Sequence, residues 1–148
     1  MPITINGSGT VTGISAGGLP DSCITTDDIA ANAVTAAKLG ADQASGLAKA
    51  WVNFSGTGTV AIRASFNVSS ITDNGTGDYT VNFTTVLADA NYSVGGNVRY
   101  NTSTTAGTDM RLEIRSATAP TSSACRIVTS NYTGTLVDMD TVVFHAFR

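Results

Sequence analysis

The side chains that most often carry out catalysis are scarce in this 148-residue chain. It has one His, His145, and one Glu, Glu113, together with two Cys. General acid–base catalysis needs a titratable group and a partner that orients it. The sequence contains neither a Gly-x-Ser-x-Gly motif nor a phosphate loop ending in Gly-Lys-Ser/Thr. We therefore predict that the chain is not an enzyme and that His145 is structural.

Carboxylates cluster at residues 73–78 and at 138–140. The first segment, Asp-Asn-Gly-Thr-Gly-Asp, has the oxygen-rich composition of a calcium loop but lacks the distal bidentate Glu. Asp138 and Asp140 share one face of an extended chain, whereas a glycosidase needs two carboxylates at a fixed separation. We interpret both segments as turns or solvated loops and predict no metal and no cofactor.

Arginine and aromatic residues offer a binding chemistry instead. Arg63 and Arg99 fall on the polar faces of predicted strands, and Trp51, Tyr100 and Tyr132 have rings that can stack on sugars. A solvated surface is one interpretation of the arginines. The other is recognition of anionic groups such as sugar phosphates, which suit the bidentate guanidinium fork.

Charge and composition exclude two classes of partner. Only 13% of residues are charged, and 8 Lys and Arg against 11 Asp and Glu give a net charge of -3. Because phosphate contacts supply most nucleic-acid affinity, a nucleic-acid partner is not expected. The sequence shows no export signal and no apolar run of about 18 residues, so we expect no membrane insertion. Both cysteines are expected to be free thiols.

From Trp51 onward the apolar residues recur with a period of two, which indicates half-buried strands separated by turns. About a quarter of the chain is Ser or Thr, and Thr and Val favour strands. We predict an antiparallel β-sandwich over residues 51–148. Its strands are expected within 59–66, 68–71, 79–84, 92–100, 110–115, 126–130 and 141–147, with a hairpin turn at 73–78 and a bulge or close backbone approach at Gly95 and Gly96.

Residues 25–50 have the pattern of a short helical stalk. Hydroxyls and carboxylates at 25–28 can cap a helix over 29–39, which Gly40 would end. The helix has a narrow apolar stripe of small residues, which favours packing against copies of itself. The last strand, 141–147, is apolar on both sides and also predicts a partner. We expect a trimer interface made by Ile29, Ala33, Val34, Leu39, Val142 and Phe144.

Residues 1–24 cannot form a core of their own. Short apolar positions alternate with Thr between many glycines, which is typical of an extended arm that pairs with another chain. A floppy tail is the alternative. The residues expected to attach the arm are Ile3, Ile5, Val11 and Ile14.

Three stretches together resemble small tail-fibre or receptor-binding proteins of tailed bacteriophages. The first is the glycine-rich arm at 3–21, and the second is the stalk motif at 28–39, ending in Ala-Val-Thr-Ala-Ala-Lys-Leu. The third runs from Ala48 to Arg63 and includes Lys-Ala-Trp-Val-Asn-Phe and Gly-Thr-Gly-Thr-Val-Ala-Ile-Arg. Beyond Asn101 the resemblance fades.

The resemblance implies a homotrimer in the phage virion, assembled in the cytoplasm of the bacterial host. The arm would be held by a tail or baseplate protein, and the β-sandwich would bind a host surface glycan. The loops at 101–109, 117–123 and 131–135 are the expected contact surface, and the candidate receptor-binding residues are Tyr100, Asn101, Asp109, Asn131 and Tyr132. The alternative is a capsid decoration or head-fibre protein without receptor function.

Overall fold

The computed structural model describes residues 27, 29–31, 33–35, 38–39, 46–100 and 110–148. The chain divides into two compact units, Met1–Gly40 and Ala41–Arg148. The described part of the second unit contains eight strands: β1 (Ala48–Ser55), β2 (Ala61–Phe66), β3 (Val68–Gly75), β4 (Asp78–Phe83), β5 (Ser93–Arg99), β6 (Arg111–Ile114), β7 (Ala124–Ser130) and β8 (Thr141–Phe147).

The strands form two four-stranded antiparallel sheets. The first sheet has the order β2-β1-β8-β5, and the second has the order β3-β4-β7-β6. The prediction of a mainly β, antiparallel architecture is confirmed. The strand β1 begins at Ala48, three residues before the predicted start of the sandwich.

The two sheets enclose one hydrophobic core because alternate residues of each strand face inward. Phe54 of β1 meets Tyr79 of β4 edge to face, with ring centroids 5.2 Å apart. Phe83 and Phe144 make a second contact between the sheets at 6.4 Å. These aromatic pairs fix the spacing of the two layers.

The inward face of β8 corrects one expectation. Val142 and Phe144 are 0% exposed and belong to this core, so their side chains cannot reach a second subunit. The apolar residues on the opposite face of β8 are Val143 and Phe147, which are half-buried. The strand β8 is apolar on both faces, as predicted, but its inner face packs against the opposite sheet and not against a second subunit.

The edge strand β2 also differs from the prediction. All six of its residues are exposed, including Ile62 at 38% and Phe66 at 55%. The alternation predicted a half-buried strand, but β2 lies at the border of the first sheet and has one neighbour, β1. An apolar edge strand that is left uncovered is a place where another chain can pair.

The connections between strands separate cleanly onto the two ends of the sandwich. The antiparallel register brings residues 56–60, 76–77 and 131–140 to one end, where β5 also finishes and β6 starts. We call this the loop end. The chain enters β1 at the opposite end, which we call the entry end, and β8 finishes there.

The turn between β3 and β4 is tighter than the predicted hairpin loop, because β3 continues to Gly75 and β4 begins at Asp78. Gly77 has a φ of 63°. A Cβ atom there would lie 2.5 Å from the carbonyl oxygen of Thr129 and 2.6 Å from the nitrogen of Val137. Only glycine allows this close approach together with the left-handed backbone.

Residues 48–50 of the predicted stalk belong to β1, and the described residues between 27 and 39 include short turns and bends. The Ala33 and Lys38 amides donate to the carbonyls of Ala30 and Thr35, each three residues back. Ile29 and Val34 are 45% and 58% exposed, while Ala33 and Leu39 are half-buried. The helical stalk and its trimer contact stay predictions. The attachment residues Ile3, Ile5, Val11 and Ile14 lie outside the described residues.

Candidate functional site

The face of the first sheet that points away from the core carries the side chains with binding chemistry. Because Val52 and Phe54 point inward, the alternation turns Trp51 and Asn53 of β1 outward. The same rule turns alternate residues of β8 outward. We call this surface the outer face.

An aromatic row crosses the outer face near the entry end. Phe66, Trp51 and His145 are successive partners in the strand register, and Gly95 of β5 follows His145. The imidazole covers Gly95, where an added Cβ would lie 2.5 Å from Nε2 of His145. The glycine pair is therefore a close approach rather than a bulge, because the β5 register with β8 is continuous. The His145 ring also meets Phe147 edge to face at 5.4 Å.

An arginine cluster, which we define as Arg63, Arg99, Asp140 and Thr141, lies on the same face near the loop end. Nη1 of Arg63 donates to Oγ1 of Thr141 at 3.1 Å, and Nη2 donates to the carbonyl of Asp140. Nη1 of Arg99 lies 3.7 Å from Oδ2 of Asp140. Only Arg99 is therefore paired with the carboxylate, and the two guanidinium groups and one carboxylate give the cluster a net charge of +1.

A shallow depression adjoins the arginine cluster between β5 and β8. It has a volume of about 210 Å³ and is lined by Asn97, Val98, Arg99, Thr141 and Val143. Asn97 faces Val143, and Arg99 faces Thr141, in the register of the two strands. The lining therefore combines an apolar patch with an amide, a hydroxyl and a guanidinium.

Asp140 has an unusual environment at this border. Its Oδ2 accepts a hydrogen bond from Oγ1 of Thr141 at 3.3 Å. Its Oδ1 is buried and has no hydrogen-bond partner within the described part of the chain. Buried carboxylate oxygens are nearly always satisfied, so this oxygen calls for a donor.

At the loop end, residues 131–135 form a compact turn organised by Asn131. Its Oδ1 accepts from the amides of Thr133 at 3.1 Å and Thr135 at 2.9 Å. The candidate Asn131 is thus engaged in holding its own loop. Tyr132 stands out from that loop with 61% of its surface exposed.

The base of the same loop is fixed by Asp138. Its Oδ1 accepts from the amide of Gly77 at 2.6 Å and lies 2.7 Å from the Tyr79 hydroxyl. Burial, followed by the neighbouring Asp138, raises the pKa of Tyr79. Asp138 and Asp140 belong to separate hydrogen-bond networks. This agrees with the interpretation of 138–140 as a loop, and the two carboxylates do not form a paired site.

The second sheet has a polar outer surface. Nε of Arg126 donates to Oδ1 of Asp78 at 2.8 Å, and Nη2 donates to Oδ2 at 3.0 Å. This hydrogen bonding from Arg126 lowers the pKa of Asp78 against the opposing effect of burial. Arg115 adds a longer ion pair at 3.7 Å. Asp78 therefore acts within the sheet, and the segment at 73–78 comprises the end of β3, a turn at 76–77 and the start of β4.

Two expected contact sites have other roles. Tyr100 is half-buried and packs against the core. The loop at 117–123 lies at the entry end, because it joins the end of β6 to the start of β7, and the Tyr92 hydroxyl donates to the carbonyl of Thr121. That loop therefore cannot share a surface with residues 131–135. Asn101 and Asp109 lie outside the described residues.

Sequence reasoning missed Asn67, which links the two sheets. It has a φ of 54°, and its Nδ2 donates to the carbonyls of Lys49 at 2.9 Å and Thr85 at 3.0 Å. Its Oδ1 accepts from the amide of Thr85 at 2.7 Å. Asn is among the residues that tolerate the left-handed region. A single Asn between two predicted strands was therefore the feature of the sequence from which this role could have been inferred.

Cys125 is a free thiol in the core, and burial raises its pKa. Cys23 lies outside the described residues. Among the residues that the structure describes, no group of three His, Cys, Asp or Glu side chains is placed to hold a metal ion. The described segments also include no helix long and apolar enough to cross a membrane.

Comparison with known proteins finds no matching family model, no similar curated protein and no similar solved structure.

Proposed function

We propose that the protein is a trimeric tail-fibre protein of a tailed bacteriophage. Its arm attaches to the tail or baseplate, and its sandwich binds a glycan of the host surface with the loop end and the adjoining part of the outer face. The chemistry is recognition without catalysis.

The observation that carries this proposal is the separation of the two ends of the sandwich. The chain enters β1 at one end, and residues 56–60, 76–77 and 131–140 lie at the other. A protein held through its N-terminal segment would present this loop end outward. Loops on a rigid scaffold are where binding residues are most often found.

Trimer formation is supported by the uncovered part of the first sheet. Trp51 is 38% exposed and Phe66 55% exposed, and they are neighbours in the register of β1 and β2. An exposed aromatic pair beside an apolar edge strand is a surface that a second copy can cover. Three copies also bring three weak receptor sites together and raise the avidity.

The proposal is tested first by the position of the protein on the virus particle. Gold-labelled antibodies against the purified chain are expected to mark the tail or baseplate in electron micrographs. Label restricted to the capsid would instead support the decoration or head-fibre role, which needs no receptor.

Receptor contact is tested with a matched pair of variants at opposite ends of the sandwich. Tyr132 at the loop end is 61% exposed, and Val86 at the entry end is 64% exposed. Tyr132→Ala should reduce binding of the full chain to host cells by about tenfold, as expected for an exposed aromatic contact. Val86→Ala should leave binding unchanged. Equal binding by both variants would remove Tyr132 from the contact surface.

A further inference from the structure

We infer that Asn74 is a site of spontaneous deamidation and that the β3–β4 hairpin slows the reaction through two hydrogen bonds. Asn74 directly precedes Gly75, the last residue of β3. An Asn followed by Gly is the dipeptide in which a backbone nitrogen attacks the side-chain amide most readily. The inference does not rest on the proposed function, because it concerns the covalent chemistry of the hairpin alone.

The reaction joins two groups that are neighbours in the chain. The Gly75 nitrogen, after losing its proton to hydroxide, forms a bond to Cγ of Asn74. The bond between Cγ and Nδ2 then breaks, and the side-chain nitrogen takes a proton from water and leaves as ammonia, which restores the hydroxide. Water opens the resulting succinimide ring at either carbonyl carbon and gives Asp or isoAsp. The sum is an amide and water on one side and a carboxylic acid and ammonia on the other, without oxidation or reduction.

The shape of the hairpin does not shield the two reacting groups. Asn74 and Gly75 are both exposed. Gly75 has no side chain beside its nitrogen, and no atom of the described residues lies within 4 Å of a Cβ built there. Asn74 lies at the register shift between Asp73 and Gly75 and has no partner residue in β4. Any protection must therefore come from hydrogen bonds.

Both reacting nitrogens are engaged in hydrogen bonds. The Gly75 amide, which has to become the nucleophile, donates to Oδ1 of Asp73 at 2.9 Å. Nδ2 of Asn74, which has to leave, donates to Oγ1 of Thr80 at 2.9 Å. A hydrogen bond of average net strength that must break first slows a reaction by about fivefold. The Asp73 carboxylate also opposes removal of the amide proton, because this would place a second negative charge beside it.

The product would weaken the hairpin in which it forms. Hydrogen bonding from Arg126, and to a lesser extent from Asn74, lowers the pKa of Asp78. A carboxylate at position 74 would replace one of these donors with a like charge near Asp78. IsoAsp would in addition lengthen the backbone of β3 by one methylene, next to the pair formed by Gly75 and Asp78. The two hydrogen bonds therefore preserve the turn at the loop end.

Peptide mapping by mass spectrometry measures the reaction, because deamidation replaces an NH group by oxygen. The full chain is incubated at mildly alkaline pH, both folded and in concentrated guanidinium chloride. We expect Asn74 to deamidate at least about tenfold more slowly in the folded chain, since both hydrogen bonds are lost in the denatured one. Equal rates in the two states would overturn the protection, and no reaction at Asn74 in the denatured chain would overturn the site itself.

A matched pair of threonines tests the hydrogen bond to Nδ2. Thr80→Val removes the acceptor and should speed deamidation of the folded chain by about fivefold, whereas Thr80→Ser keeps the hydroxyl and should react at the wild-type rate. The control is Thr72→Val. Thr72 lies directly opposite Thr80 in the register, but its Oγ1 accepts from Asn82 instead. Its loss should leave the rate unchanged.

Asp73→Ala tests the second hydrogen bond and should also speed the reaction of the folded chain by about fivefold or more. Tryptophan fluorescence checks that each variant is folded, and in guanidinium chloride all variants should react at one rate. An acceleration by Thr72→Val as large as that by Thr80→Val would overturn the role of the bond between Asn74 and Thr80. Unchanged rates in both Thr80→Val and Asp73→Ala would overturn the whole inference.

Discussion

At the scale of single residues, Gly77 has the strictest requirement in the loop end. Its φ of 63° and the backbone atoms of Thr129 and Val137 within 3 Å of an added Cβ both exclude a larger side chain. Gly58 has a similar φ of 65° but has no atom within 4 Å of such a Cβ. Comparison of alanine substitutions at the two positions therefore separates the cost of the left-handed backbone from the cost of the steric clash.

We predict that Gly58→Ala lowers the free energy of unfolding by about 1 kcal/mol, the cost of a left-handed backbone. Gly77→Ala should cost about 3 kcal/mol or more, because backbone atoms must also move. Urea denaturation followed by Trp51 fluorescence measures both changes. Equal losses for the two variants would mean that the packing around Gly77 is not tight.

A second residue-scale prediction concerns acid stability. Hydrogen bonding from Arg126 lowers the pKa of Asp78 below its ordinary value of 3.8. The folded state therefore binds this proton less readily than the unfolded state. The stabilisation is present above about pH 4 and is lost as the pH falls through the lowered pKa.

The free energy of unfolding should thus fall as the pH drops below 4, and the fall should be smaller in Asp78→Asn. Asp89 keeps a residual slope, because the amide of Asn91 and then Arg148 lower its pKa as well. Denaturation curves over this pH range provide the measurement. Parallel profiles for wild type and Asp78→Asn would contradict the assignment.

At the scale of elements, β8 shows what hydrophobic periodicity can and cannot predict. Its alternation placed Val142 and Phe144 together on one face and Val143 and Phe147 on the other, and the structure has this arrangement. Periodicity cannot say which face meets the opposite sheet, because that depends on long-range packing. Val142 and Phe144 were therefore expected at a subunit contact, although they belong to the core.

The two faces of β8 predict different costs for removing the same ring. Phe144→Ala should lower the free energy of unfolding by about 4 kcal/mol, since the ring is fully buried between the sheets. Phe147→Ala, on the half-buried outer face, should cost about 1 kcal/mol. Urea denaturation at a fixed protein concentration measures both. A larger loss for Phe147→Ala would reverse the assignment of the faces.

The other elements also divide into those that the local sequence pattern predicts and those that depend on long-range packing. Seven of the eight strands and the hairpin before Tyr79 followed from local alternation and turn residues, whereas β1 was not among the predicted strands. The exposure of β2 did not follow from the local pattern, because it results from the border position of that strand in the sheet order. The depression was also beyond prediction, since it needs the register that places Arg99 opposite Thr141.

At the scale of the whole molecule, the proposed function depends on assembly. Phe66 and Trp51 are exposed neighbours beside an apolar edge, and we propose that a second copy covers them. Phe66→Asp should therefore weaken self-association, because it places a charge in the contact. Val86→Asp, at a site 64% exposed in the β4–β5 connection, is the matched control and should not.

Sedimentation equilibrium of the full chain measures whether three copies assemble. We predict a mass of three times 15.1 kDa that is maintained on dilution through the micromolar range. A folded species of 15.1 kDa at every concentration would contradict the proposed trimer, and with it the interpretation of the exposed aromatic pair as a subunit contact.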